Sequence, residues 1–506
     1  MSAVEEIGVR CGETSRTYPE LFARSLRLAA GLAELGVGAG DRIALLLRNS
    51  LEFLESSIAT VPLGASAVPI NWHWRGDEIA HVLTDSRAKA LVLHADLWPA
   101  IADSVPDDVA IIAVADGPGA AGASALPVRA LRYERVIEEN PPLAQPPEGA
   151  PSSIIYTSGT TGRPKGVVRE QASDEQRAAV QELVGELFGL AEGERTIIPA
   201  PMYHAAPNVY ALSAAVRGMD MTIMPRYDAE EFLRLVSEHR VSVVQTVPTM
   251  FVRMLALPED VRSRYDLSSL RRVVHAAAPC PPDVKRAMID WLGPIIDEYY
   301  GGTETGPVVF CTSEEWLAHP GTVGRPIGNA AVKILDAEGT ELPAGESGEV
   351  FMWLDVWPNF TYANDPQKRR AVERHGLVSC GDVGYLDADG YLYLNDRRSD
   401  MVISGGVNIY PAEIEACLMS LGGVRDCAVF GIPDHEFGEA LAAYVEPLDG
   451  HPLTPEQVRG HVRANLAAYK TPRVVELTRE LPREDSGKIF KRRLREPYWR
   501  GRERAI

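Results

Sequence analysis

The sequence predicts an α/β fold: a large N-terminal domain of parallel-rich sheets with covering helices, and a small α+β domain at the C-terminus. Three observations predict it. Apolar repeats at helical spacing alternate with short apolar runs along most of the chain, 506 residues suit two to four ordinary domains, and 45% hydrophobic with 24% charged residues is a globular composition. Residues 17–36 repeat apolar side chains at helical spacing and end on Gly36, the pattern of an amphipathic helix. Residues 41–48 (DRIALLLR) then read as a buried strand, 52–63 as a helix, 66–70 as a strand, 77–85 as a helix and 88–93 as a further strand. Between 117 and 147 the composition turns to Ala, Gly, Pro and Glu, and residues 141–147 (PPLAQPP) read as an extended connector. Strand, helix and strand recur over 222–254 and over 270–300. A charged segment at 396–400 precedes a fresh strand and helix, which divides the chain into 1–396, a linker at 397–400, and 401–506. The basic tail, 488–504, reads as a solvated terminal segment.

Charge narrows the function classes. Lys plus Arg total 51 against 70 Asp plus Glu, a net −19 that repels nucleic acid and anionic membranes, so no nucleic-acid partner is expected. A polyanionic ligand must therefore be met by local donors. The six cysteines, Cys11, Cys280, Cys311, Cys380, Cys417 and Cys427, show no CxxC pair, which points away from a disulfide framework or a zinc site and towards a reducing, cytoplasmic setting. An acidic, polar N-terminus gives no expectation of export. The longest apolar stretch, 58–70, is broken by Thr60, Pro62, Gly64 and Ser66 and falls short of the roughly 20 residues of a membrane span, so no transmembrane segment is expected.

The densest chemical signal is residues 154–168, IIYTSGTTGRPKGVV: an apolar strand, a run of glycines and hydroxyls, then Lys165. Glycines allow close backbone approach, and freed N–H groups with hydroxyls can ring a phosphate. The stretch lacks the register of a Walker loop. Taken alone, it is read equally well as an ordinary turn.

The whole run Tyr156 to Gly166 resembles the signature loop of the adenylate-forming superfamily, which includes acyl-CoA synthetases, peptide-synthetase adenylation domains and luciferases. Further segments resemble that family's motifs in order: Thr17 to Leu21, Gly64 to Asn71, Pro201-Met202-Tyr203-His204, Tyr300-Gly301-Gly302-Thr303-Glu304, Ser379-Cys380-Gly381-Asp382, Asp396-Arg397, Ser404 to Glu415, and Pro482 to Lys488. The resemblance covers nearly the whole chain and implies ATP, Mg²⁺ and coenzyme A as co-substrates or cofactor, with a mobile C-terminal domain. It implies that Thr157, Ser158, Gly159, Thr160, Thr161, Gly162 and Lys165 meet the phosphates. Ala276, Ala277, Ala278 and Pro279 would lie against adenine, with Tyr300, Gly301 and Thr303 beside the nucleotide. Asp382 is suited to accept both ribose hydroxyls, as a carboxylate can, and Arg397 would add charge near the nucleotide. Glu304 would ligate Mg²⁺, since magnesium takes one or two carboxylates plus phosphate oxygens. Thr303, Glu304, His204 and Lys488 are the candidate catalytic set. Lys488 is the candidate for stabilising charge as the α-phosphate is attacked.

His204, His275, Gly301 and Gly302 are expected around the acyl group, and Gly405 and Gly406 along the CoA thiol path. Gly302 stands where relatives often carry a larger residue, so it either opens the acyl floor or serves backbone conformation alone. His275 heads His-Ala-Ala-Ala-Pro where relatives carry a Ser-Gly-Ala type run, and Ser399 stands at the hinge position where they carry Asp or Lys. No Asp is placed to hold an α-ammonium, which favours a simple carboxylic acid over an amino acid. The expected function is an AMP-forming acyl-CoA synthetase for a bulky hydrophobic acid, fatty, aromatic or polycyclic. A stand-alone enzyme loading a separate carrier protein and a non-catalytic nucleotide-binding regulator are the other readings. The chain ends about 18 residues after Lys488 without a carrier segment, so an acceptor in cis is not expected. A homodimer is allowed for.

Overall fold

A computed structural model describes residues 8–74, 76–115, 126–144, 152–157, 164–397, 400–404, 407–435, 437–483 and 489–500. The chain forms two compact units. One comprises 1–277, 284–313 and 354–371; the other comprises 278–283, 314–353 and 372–506. The unit with the C-terminus therefore also gathers two segments from earlier in the chain.

The first helix, Tyr18–Glu34, starts where its sequence can satisfy orphan N–H groups: Thr17 caps Glu20 N–H, and the Glu20 carboxylate accepts from Thr17 N–H. Its Leu21, Leu28 and Leu32 are fully buried, as their spacing requires. Leu51–Thr60 and Asp77–Ser86 are helices, and they alternate with the parallel strands Arg42–Leu46, Ser66–Pro69, Ala90–His94 and Ala110–Val114. Strands buried on both faces read as continuous apolar runs, which is why RIALL and ALVLH show no alternation. Within the stretch where composition turns to Ala, Gly and Pro, Leu131–Arg132 adds a strand to this sheet, and the helix Tyr133–Glu139 buries Tyr133, Val136 and Ile137. The Tyr133 hydroxyl donates to buried Glu55 at 2.9 Å, a tertiary contact invisible to composition.

A second sheet of the same unit sets Arg195–Ile198, Asp220–Ile223, Val243–Thr246, Arg272–His275 and Ile296–Gly302 in parallel, and Gly306–Cys311 closes back antiparallel on Ile296–Gly302. The strand, helix and strand expected over 222–254 are Asp220–Ile223, Ala229–Glu238 and Val243–Thr246, and the end of that stretch adds a further helix, Pro248–Leu255, which proline opens at its first turn. A three-stranded antiparallel sheet, Phe360–Tyr362, Lys165–Arg169 and Ile155–Thr157, completes what the site needs.

The second unit holds an antiparallel sheet of Ala331–Leu335, Gly348–Trp353, Leu377–Leu386 and Leu392–Arg397. Its C-terminal part pairs Val424–Asp434 with Gly438–Pro447 over the helices Pro411–Met419 and Pro455–Asn465, around Val429, Val445, Ile414 and Val458. The basic tail is a helix, Lys491–Trp499, not a solvated segment. Lys491 pairs with Glu415 at 2.7 Å, Trp499 Nε1 donates to Gly431 O, and Leu494 and Tyr498 pack on Phe430 and Ala442. Lys491, Leu494, Arg495 and Tyr498, at i, i+3, i+4 and i+7, form the half-buried docked face, while Arg492, Arg493 and Glu496 are exposed. Among the described residues no helix is long and apolar enough to cross a membrane.

Candidate active site

The two strands that flank the signature loop pair antiparallel. Ile155–Thr157 pairs with Lys165–Arg169, setting Tyr156 opposite Gly166 and Thr157 opposite Lys165. The Tyr156 ring covers Gly166 so closely that a Cβ there would come within 2.7 Å of it, which only glycine avoids. The Tyr156 hydroxyl donates to Asp85 Oδ2 at 2.7 Å, and Asn364 Nδ2 donates to the Asp85 carbonyl and Oδ1. Ser158, Gly159, Thr160, Thr161 and Gly162, between the two strands, lie outside the described residues, as do Ser399, Gly405, Gly406 and Lys488.

From the far strand Arg169 reaches the Tyr300 to Glu304 turn. Its Nη2 donates to the carbonyls of Thr303 at 2.8 Å and Glu304 at 3.1 Å, its Nη1 donates to Pro358 O, and the guanidinium lies over Trp357. The turn itself is tight: a Cβ on Gly301 would meet Gly306 O at 1.9 Å, and Gly302 N–H donates to buried Thr305 Oγ1. Glu304 Oε1 accepts from the Tyr362 hydroxyl at 2.9 Å. The Lys165 ammonium lies 5.6 Å from the centre of the same Tyr362 ring. Burial, and then the neighbouring Lys368 ammonium, hold Lys165 down to about 8. Thus Lys165, Thr303 and Glu304, remote in sequence, meet in one place. A Glu carboxylate next to a Thr hydroxyl, both hard oxygen ligands, suits Mg²⁺, which when bound would neutralise phosphate charge.

His204 caps the helix Ala205–Val216, and its carbonyl accepts from Asn208 N–H. Two asparagines lock the segment before it: Asn49 Oδ1 accepts from Met202 N–H while its Nδ2 donates to Ala200 and Met224 carbonyls, and Asn208 Nδ2 donates to Met202 O. After the strand Arg272–His275 the chain runs through buried Ala276, exposed Ala277, half-buried Ala278 and exposed Pro279. Ala277 has φ +72°, a left-handed conformation uncommon for a residue with a Cβ. The His275 ring is fully buried, edge-on to Phe251 and 3.5 Å from Glu298 Oε2, which also pairs with buried Lys285 at 2.6 Å. Burial, with Lys285 nearby, pushes His275 well below its usual range, so the ring is neutral and its contact with Glu298 is not an ion pair.

In the second unit Asp382 and Arg397 sit opposite each other on paired strands, with Arg397 Nε 3.3 Å from Asp382 Oδ1. Gly381 before it has φ +83°, and its N–H donates to Ser379 Oγ. Asp396 Oδ2 accepts from Ala412 N–H, at the start of Pro411–Met419. On either side of the stretch bearing Lys488, Arg483 and Ile489 form a β-bridge, Phe490 N–H donates to Pro482 O, and Arg483 pairs with Asp426 at 2.7 Å. Asp85, Arg169, Tyr362 and Asn49 escaped sequence reasoning because each acts on residues tens to hundreds of positions away. The one local signal was Asn49, a polar residue two positions after the apolar strand run 43–47.

This architecture and this site define a class. Residues 3–353 match the family of AMP-binding enzymes, residues 413–488 match the AMP-binding enzyme C-terminal domain, and the chain belongs to that family. Its relatives include a feruloyl-CoA synthase of an Amycolatopsis species, 36% identical over 97% of this chain and 95% of the relative. They also include the long-chain-fatty-acid–CoA ligase FadD13 of Mycobacterium tuberculosis, 34% identical over 95% of this chain and 93% of the relative. Among solved structures, the anthranilate CoA ligase AuaEII in complex with anthranoyl-AMP superposes with a TM-score of 0.84 at 27% identity, covering 98% of this chain and 94% of that one.

Proposed function

We propose that this enzyme is an AMP-forming acyl-CoA synthetase acting on a bulky hydrophobic carboxylic acid, aromatic, fatty or polycyclic. A carboxylate oxygen attacks the α-phosphorus of ATP, the bond to the pyrophosphate oxygen breaks, and pyrophosphate leaves. The sulfur of CoA, its proton lost, then attacks the acyl carbon and AMP departs. The reading rests above all on one observation: the hairpin that carries the signature loop delivers Lys165 to Glu304 and, through Arg169, holds the turn in which Glu304 sits. Charge that develops on the phosphates is met there by fixed donors, the arrangement with the largest effect on such transfers. We assign Asp382 and Arg397 to the nucleotide and Lys488 to the α-phosphate. The N-terminal part, to residue 396, would bind ATP and acid, and 401–506 would turn about 397–400 between the half-reactions, with Gly405 and Gly406 along the thiol path. Cysteines without any CxxC spacing support the cytoplasmic setting, and a homodimer is checked by light scattering.

Acids of graded ring number and chain length, offered with ATP and either CoA or a carrier protein, test the reading. Acid-dependent pyrophosphate release and CoA-ester formation, greatest with bulky apolar acids, are expected. Turnover with carrier protein alone would replace CoA as the acceptor, and no acid-dependent pyrophosphate release would sink the enzymatic reading.

A further inference from the structure

Beside Glu304 stands a cation that the site as described does not use. Lys368 lies on the short helix Pro366–Ala371, and its ammonium is 6.0 Å from the centre of the Tyr362 ring, the ring that also carries the Lys165 ammonium at 5.6 Å. Two ammonium groups beside one aromatic ring repel each other, and the carboxylates facing Lys165 from neighbouring elements are Glu304 and Asp365. Nothing in packing requires this crowding, since Lys368 is only half-buried and an alternative rotamer would place its charge in water. The helix that presents it is nonetheless clamped. Asp365 Oδ1 accepts from Lys368 N–H, Arg369 Nε donates to Phe360 O, and the Arg369 guanidinium lies 4.6 Å from the Phe360 ring. Phe360–Tyr362 in turn is hydrogen-bonded to Lys165–Arg169, so Lys368 is held relative to the signature hairpin by a continuous set of side-chain and backbone hydrogen bonds. Two cations held together at half-burial are complementary to an anion with several adjacent charged oxygens.

We infer that Lys368 is a second cation of the polyphosphate subsite, gripping with Lys165 the β- and γ-phosphate oxygens of ATP and the pyrophosphate that leaves. This rests on the adenylation reading above. The same phosphate chemistry exists on CoA, and the helix position beside Glu304 and the signature hairpin selects the ATP side.

The test measures magnesium pyrophosphate binding by calorimetry, together with KM for ATP and KM for CoA, in the wild-type enzyme, Lys368→Gln, Lys368→Arg and Arg370→Gln. Arg370 is exposed on the same helix, so its loss removes an equal charge without touching the Tyr362 ring. For Lys368→Gln the pyrophosphate Kd and the KM for ATP rise about tenfold, as expected for one charge-assisted contact at a half-buried site. KM for CoA stays unchanged, Lys368→Arg restores most of the binding, and Arg370→Gln stays within twofold. Equal effects of Lys368→Gln and Arg370→Gln, a rise confined to CoA, or no effect of Lys368→Gln would each overturn the inference. A wild-type enzyme that binds no pyrophosphate and runs no acid-dependent exchange would instead overturn the adenylation reading itself.

Discussion

At Ala277 the backbone adopts φ +72° with a side chain attached, and the strain is removable because the residue is exposed. A Cβ in the left-handed region costs roughly 1–2 kcal/mol, so Ala277→Gly should raise the unfolding free energy by about 1 kcal/mol, net of glycine's entropy in the unfolded chain, and shift the denaturant midpoint upward. If it lowers stability, the conformation is not strained. Lys488 offers the functional counterpart. Lys488→Ala should slow acyl-adenylate formation about 10²- to 10³-fold, the usual effect of removing one preorganised donor, and leave thioester formation from supplied acyl-adenylate largely intact. Single-turnover assays of each half-reaction separate the two; equal loss in both would make the lysine structural. The residues of the signature loop and the Tyr300 to Glu304 turn were legible in the sequence because their types are unusual and local. The partners that hold them, Asp85, Arg169 and Tyr362, were not, because a hydrogen bond across tens to hundreds of residues leaves no periodicity.

The hairpin that carries the signature loop depends on a glycine under a ring. Gly166→Ala would place a methyl 2.7 Å from Tyr156 Cζ, and the ring is tied to Asp85. Overpacking of this kind costs about 1–3 kcal/mol, and the ATP KM should rise with it as the base of the loop is displaced. Stability and KM measured on the same variant decide this, since a variant with normal KM would show the loop to be indifferent to its base. At the other end of the chain, the helix Lys491–Trp499 is bound to the C-terminal domain by an ion pair. Glu415 accepts Val429 N–H as well as the Lys491 ammonium, and its burial pushes its carboxyl up while Lys491 holds it charged. Lys491→Met strands that carboxylate and should cost about 3 kcal/mol, seen as a lower melting temperature, whereas pairing it with Glu415→Gln should return much of the loss. Elements were read from sequence where apolar periodicity ran uninterrupted, as in Tyr18–Glu34. They were missed where a helix was short or basic, as in Tyr133–Glu139 and Lys491–Trp499, since there tertiary contacts supply the stability that propensity lacks.

For the whole molecule, the proposed turn of 401–506 about 397–400 makes its own demand on the backbone. Proline fixes φ near −65°, so Ser399→Pro should restrict rotation at the pivot. One half-reaction should survive while their sum, CoA-ester formation from acid and ATP, collapses. Intact overall turnover would place the pivot elsewhere. The two compact units also show that chain order and spatial grouping differ: 314–353 and 372–396 pack with the C-terminal residues, although nothing in their composition sets them apart from what precedes them.

Composition, alternation of periods and an ordered series of short motifs were enough to determine the α/β class, the family and the chemistry of its reaction, because each of these is written in residue types close together along the chain. Only the tertiary structure decided which side chains brace the motifs, that the basic tail docks, that the His275 ring is buried, and that Lys165, Glu304, Tyr362 and Lys368 share one corner. Such contacts are made by loops and strands that fold back from distant positions, and their energy depends on geometry that no local pattern encodes.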